Sequence, residues 1–223
     1  GKSALDFLLE GEDTIPLSRG IFLSETRRLS KDICDYISSS FYDFRLKPHP
    51  VTGKRSVALG LKDIKDKGIF YIPTQHTDCT QRSDEEGKLI NEYFKKILGK
   101  ISTDSGKSKK IDIEDVMVVA PFNMQVNNLK KIIDKKESRV GTIDKFQGQQ
   151  AKIVFISMTS SDPENLPRHK EFFFSRNRLN VAISRAQCVA VILFNPKLLL
   201  TSCQKINEMK LINNFCKLLK YKI

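Results

Sequence analysis

The feature that most constrains the fold of this chain is a set of short apolar runs that do not alternate with polar residues. IFYI (69–72), VMVVA (116–120), VGTI (140–143), KIVFISM (152–158) and VAVILF (189–194) are continuous. A strand with one face in water turns every second residue polar, whereas a strand covered on both faces does not. Between these runs lie amphipathic stretches with helical spacing. Residues 84–98 align Leu89, Ile90, Tyr93, Phe94, Ile97 and Leu98 on one stripe, and Val126, Leu129 and Ile133 repeat at three and four within 123–133. The stretch 206–219 aligns Ile212, Phe215, Cys216 and Leu219, and a helix over about 30–42 turns Ile33, Tyr36, Ile37 and Phe41 inward. Strand and helix in alternation predict a three-layer α/β domain built on a mostly parallel sheet. STDSGKSKKIDIED (102–115) reads as a surface loop. Residues 1–20, beyond a short SALDFLL helix, read as the tail of a preceding unit or a linker, so the main domain is expected over 21–223.

Bulk properties narrow the function classes. Of 223 residues, 40% are apolar and 29% charged, which is ordinary for a folded domain and excludes wholesale disorder. No apolar run approaches the roughly 18 residues of a membrane span, and the start, GKSALDFLLEGED, lacks the apolar core of a secretion signal. A cytoplasmic setting is the default expectation, and the missing initiator methionine suggests a fragment of a longer protein. Cys34, Cys79, Cys188, Cys203 and Cys216 form no CxxC pair, which argues against a disulfide framework or structural zinc. His76 and Cys79 stand three apart, but two ligands do not make a site, so no metal is expected on this chain. The net charge of +12 favours a nucleic acid or another polyanion as partner, although a lysine-rich solvated surface gives the same excess.

One segment raises a chemical question. RNRLNVAISRAQ (176–187) carries three arginines and no acid on a mostly apolar, helix-like pattern. Leu179, Ala182, Ile183 and Ala186 form its inward stripe, and Arg178 and Arg185, seven apart, share a flank. From Arg168 to Arg185 the other cations are Lys170, Arg176 and Arg178, against the single acid Glu171. Such a face is either solvated or waits for an anion, because arginine is costly to bury unpaired. A phosphate cradle of the form GxxxxGK(S/T) is not to be found. Gly106-Lys107-Ser108 has Ile101 where the first glycine belongs, and Gly1-Lys2-Ser3 has no strand before it. No GxGxxG and no GxSxG is present either.

Four segments then carry a resemblance. VGTIDKFQGQQAKIVFISM followed by NRLNVAISRAQ resembles motifs V and VI of superfamily 1 helicases, and APFNMQV (120–126) resembles their motif IV. RRLSKDICDYISSSFYDFRL (27–46) resembles the segment that opens the second motor domain. VGTIDKFQGQQA, FFFSRNRLNVAISRAQ and MKLINNFCKLL are most similar to bacterial helicases fused to a RecB-like nuclease.

The resemblance implies a RecA-like second motor domain, a P-loop NTPase fold without its own P-loop. It would close over ATP and Mg2+ held mainly by a first RecA-like domain of the same polypeptide. In that frame Arg185 is the motif VI arginine finger, and Arg28 a second γ-phosphate contact, with Arg27 next to it making the assignment ambiguous by one position. Gln147 would sense the nucleotide, Gly148 would permit a tight turn, and Gln150 would accept from the ribose where the family has glutamate. Thr142 and Lys145 would face the backbone of a single nucleic-acid strand, with Pro121, Asn123, Gln125 and Arg178 near the strand or the adenine. Phe122 and Phe146 are candidates for base stacking, or core. The implied activity is ATP-driven translocation on DNA, 5′ to 3′, with an RNA-directed motor and a non-catalytic nucleic-acid-binding module as alternatives.

Overall fold

The computed structural model of the protein describes residues 4–9, 12, 14–16, 18–166 and 170–222. Gly1-Lys2-Ser3 and Arg168 lie outside them. The strands are β1 (Glu25–Thr26), β2 (Lys47–Pro48), β3 (Arg55–Ala58), β4 (Gly68–Pro73), β5 (Ile101–Asp104), β6 (Lys107–Lys110), β7 (Val116–Ala120), β8 (Arg139–Thr142), β9 (Ala151–Ser157) and β10 (Ala186–Phe194). The helices are α1 (Ala4–Leu9), α2 (Lys31–Phe41), α3 (Asp84–Ile97), α4 (Asn123–Ile133), α5 (Lys170–Phe173), α6 (Arg176–Ile183) and α7 (Ile206–Cys216).

All five continuous apolar runs are strands of one sheet, in the order β4-β10-β9-β7-β8, and every neighbour pair is parallel. Each strand sends alternate residues to opposite helical layers, so both faces need apolar side chains. On one face Met117, Val119, Val154, Ile156, Ala190 and Ile192 pack with Ile33, Ile37, Leu179, Ile183 and Phe215 of α2, α6 and α7. On the other, Val116, Val118, Ile153, Phe155, Val189 and Val191 pack with Ile90, Phe94, Val126 and Leu129 of α3 and α4. The architecture is therefore a three-layer α/β sandwich on a parallel sheet.

The segment 102–115 is not a loop. β5 and β6 form an antiparallel hairpin that pairs with β3 as a separate three-stranded sheet. Its turn is Ser105-Gly106, both with positive φ (50° and 84°), the geometry of a tight two-residue hairpin turn. Gly106-Lys107-Ser108 is thus a turn and a strand start. The polar composition hid the hairpin because all four residues of β6 are exposed. In the C-terminal helix the stripe ends one position early. α7 stops at Cys216 and a 3-10 turn follows, so Leu218 is buried and Leu219 is 45% exposed. Phe122 and Phe146 are both core residues, at 5% and 3% exposure, which removes them as stacking platforms.

Candidate functional site

Parallel strands give the sheet two chemically different ends. Arg28, Gln150 and Arg185 gather at the end where β9 and β10 begin. The backbone of Arg185 follows the last turn of α6, and Ala151 N–H donates to its carbonyl at 3.0 Å, which locks the two strand starts together. The Arg28 segment is tied to the same place, since Ser30 N–H donates to the Gln187 carbonyl at 3.1 Å. Arg185 lies beyond the end of α6, so it does not share a helical flank with Arg178. Arg178 instead reaches Asp144 at 3.3 Å.

These residues line a cavity of about 650 Å³. Its polar lining includes Arg27, Arg28, Gln150, Ser184 and Arg185 together with one acid, Glu25, and its apolar lining includes Phe22, Leu23, Tyr42 and Leu46. Arg28 Nε donates to Gln150 Oε1 at 3.1 Å and Nη1 to the Ser184 carbonyl at 3.2 Å. Arg185 Nε donates to the Val181 carbonyl at 3.1 Å and Nη1 to the Gln149 carbonyl at 3.0 Å. Every one of these acceptors is a neutral oxygen. Among the described residues neither arginine pairs with a carboxylate. Burial pulls both guanidinium groups below their ordinary range, and Arg28 lowers Arg185 further by like-charge repulsion. Two partly desolvated cations on one cavity, neither of them paired with its lining acid Glu25, suit a polyanion.

The same donor set does not suit a divalent metal, and among the described residues no three His, Cys, Asp or Glu side chains gather as ligands. Arg28, not Arg27, contributes the guanidinium that bonds to Gln150. Gln150 holds Arg28 through the amide oxygen expected to meet a ribose. Gln147 and Gly148 are exposed in the loop leading into β9, with Gly148 at φ +81°.

The nucleic-acid candidates lie at the opposite end. Thr142 ends β8 in register with Ala120 at the end of β7, and Pro121 and Asn123 follow directly. Asn123 and Lys145 are exposed, and Thr142, Pro121 and Arg178 are half-buried. Gln125 does not belong with them. It is fully buried, with Ser83 N–H donating to its carbonyl at 2.9 Å and its own amide donating to Ser83 O and Ser157 Oγ at 3.0 Å each. The first turn of α4 points it into the interior, where it cannot touch a strand.

Sequence reasoning missed a buried polar group beside Gln125. Glu86 is 0% exposed and accepts from Ser157 Oγ, from Thr159 N–H at 3.0 Å and from Thr74 Oγ1 at 3.4 Å. His76 bridges Glu86 at 3.0 Å and Ser161 Oγ at 2.6 Å. In sequence Glu86 is one of three acids in a first helical turn, a pattern that ordinarily means solvent exposure. Arg139 and Gln149, which bond to the cavity residues Gln150 and Arg185, were not singled out, although Gln149 lies within VGTIDKFQGQQA and Arg139 just before it.

Fold and cavity together define a class, a three-layer α/β domain on a parallel sheet with arginines lining a cavity at its strand starts. A family described as AAA domain matches residues 6–197. The chain is 32% identical over 127 residues to "Putative helicase mov-10-B.1" of Danio rerio, which covers 50% of this chain and 12% of that protein. It is 26% identical over 176 residues to "DNA polymerase alpha-associated DNA helicase A" of Schizosaccharomyces pombe, covering 74% and 26%. With "RNA helicase Mov10l1" of Mus musculus it shares 32% over 98 residues, covering 41% and 8%. The chain therefore belongs to the AAA domain family, as a helicase domain of superfamily 1. It spans between 8% and 26% of the length of these three relatives. No helix among the described residues is long and apolar enough to cross a membrane.

Proposed function

We propose that this chain is the second motor domain of an ATP-dependent DNA helicase, with 1–20 as the approach from a first domain and 21–223 as the RecA-like unit. The single observation that carries the reading is that Arg28 and Arg185 line one cavity while both guanidinium groups bond only to neutral oxygens. In this reading a first domain of the same polypeptide binds ATP through its own glycine-rich loop, and its carboxylates hold Mg2+. Arg185 is the arginine finger and Arg28 a second phosphate contact. Their planar forks bind phosphate oxygens in pairs and stay charged as the cleft closes. Gln147 senses the nucleotide, and Gly148 gives the loop its turn. Thr142, Lys145, Asn123, Pro121 and Arg178 form part of a track for a single strand, gripping phosphates with little sequence preference. Movement is 5′ to 3′ in the cytoplasm, and the polypeptide carries a RecB-like nuclease.

The test joins the chain to the rest of its polypeptide. Strand-stimulated ATP hydrolysis is expected to fall at least a hundredfold in Arg185→Ala while strand binding persists. Hydrolysis that survives this change would leave only a binding module. An RNA-directed motor is the second reading, because the relatives include one named an RNA helicase as well as one named a DNA helicase. Comparing stimulation by single-stranded DNA and by RNA of equal length separates the two.

A further inference from the structure

Three arginines converge on two adjacent glutamines. Arg28 Nε donates to the side-chain oxygen of Gln150, and Arg185 Nη1 donates to the carbonyl of Gln149. The third arginine, Arg139, opens β8 and takes the remaining acceptors. Its Nη2 donates to Gln149 Oε1 at 2.9 Å and its Nη1 to the Gln150 carbonyl at 3.1 Å. The same Nη1 reaches back to the carbonyl of Glu114 at 2.7 Å, in the 3-10 turn just before β7. Its guanidinium lies 6.0 Å from the centroid of Phe146, which is buried in the core.

We propose that Arg139 is a positioning residue that fixes the Gln149-Gln150 segment and through it the aim of both cavity arginines. The role in phosphate binding rests on the proposed function, whereas the positioning does not. The physical argument is one of connection. Gln149 and Gln150 are exposed and belong to no helix or strand, so nothing regular holds them. A segment of that kind explores many conformations unless it is tied. Arg139 ties it to the sheet, because its backbone opens the edge strand β8, which pairs with β7 from Met117 onward. One planar fork serves three acceptors in fixed directions, which a lysine ammonium on a flexible stem cannot reproduce. All the acceptors are neutral amide or carbonyl oxygens, so Arg139 places the segment without adding a negative charge to the cavity. Arg139 itself touches no ligand position that Arg28 and Arg185 line.

The experiment uses the 223-residue chain, with two variants, Arg139→Ala and Arg139→Lys. Nuclear magnetic resonance reads the Nε–Hε signals of Arg28 and Arg185 directly, and the amides of β7, β9 and β10 report the fold. Both variants are expected to move both arginine signals while the strand amides stay in place. Affinity for inorganic tripolyphosphate, measured by calorimetry, is expected to fall about tenfold in each, the usual scale for a lost supporting contact. If Arg28 and Arg185 keep their wild-type signals in both variants, Arg139 is not a positioning residue. If the signals move but the wild-type chain does not bind tripolyphosphate, the positioning stands and the phosphate reading fails.

Discussion

At position 150 a single atom decides whether Arg28 has a charged partner. The amide oxygen of Gln150 accepts from Arg28 and leaves the guanidinium charge uncompensated. Gln150→Glu would turn that bond into an ion pair and weaken tripolyphosphate binding by up to about fivefold, since a half-exposed pair contributes less than about 1 kcal/mol. Calorimetry on the chain measures it, and an unchanged affinity would mean that Arg28 does not meet the phosphates. Gly148 is a second single-residue case. At φ +81° with no atom within 4 Å of a built Cβ, Gly148→Ala meets backbone strain and no clash. The expected loss is about 1 kcal/mol in urea unfolding. Cysteine reactivity is a third. Burial pushes the thiols of Cys34 and Cys188 up to about 11. A raised thiol pKa keeps the neutral, unreactive form below that pH, so at pH 8 only about one in a thousand is thiolate. Mass spectrometry after iodoacetamide at pH 8 should find half-buried Cys79 modified well before either.

At the scale of the elements, α3 shows two separable contributions. Ser83 caps it by accepting from Glu86 N–H at 3.2 Å, and Ser83→Ala is expected to cost about 1 kcal/mol. Glu86→Ala should cost roughly 3 kcal/mol or more, because it strands His76, Ser157 and the Thr159 amide in the interior. Denaturant titration of the two variants distinguishes them. This element also marks how far the sequence can be read. Its apolar stripe was legible because burial of Ile90, Phe94 and Ile97 recurs with the helical period. The role of Glu86 was not, because it depends on Ser157 and Thr159 seventy residues away, and no local pattern encodes that proximity. The β5–β6 hairpin escaped for the opposite reason. Its strands are held by cross-strand pairing at the surface, so no apolar run announces them. The arginines were legible as a charge anomaly, while their shared acceptors on Gln149 and Gln150 came only from the folded register of β8, β9 and β10.

At the scale of the whole molecule, the excess charge predicts how a strand is held. Binding of single-stranded nucleic acid should weaken steeply with salt, because bound cations release counterions. Removing one phosphate contact, as in Lys145→Ala, should flatten the slope of log K against log salt by about 0.7 without changing sequence preference. Fluorescence anisotropy at a series of salt concentrations reads that slope, and an unchanged value would take Lys145 off the track.

The parallel sheet separates the two candidate sites by the length of its strands. β9 runs seven residues, from beside Gln150 to Ser157 at the far end, a span of roughly 20 Å at the usual rise per residue. Its residues are buried apart from Lys152, which is only half-covered. A slab packed that densely on both faces does not stretch or shear by small amounts. In the proposed motor, a phosphate gripped by the arginines at one rim would turn the opposite rim by the same rotation, like the two arms of a rocker on one pivot. A strand track at that rim, as proposed, would need no relay of side chains to learn that the other rim has been grasped.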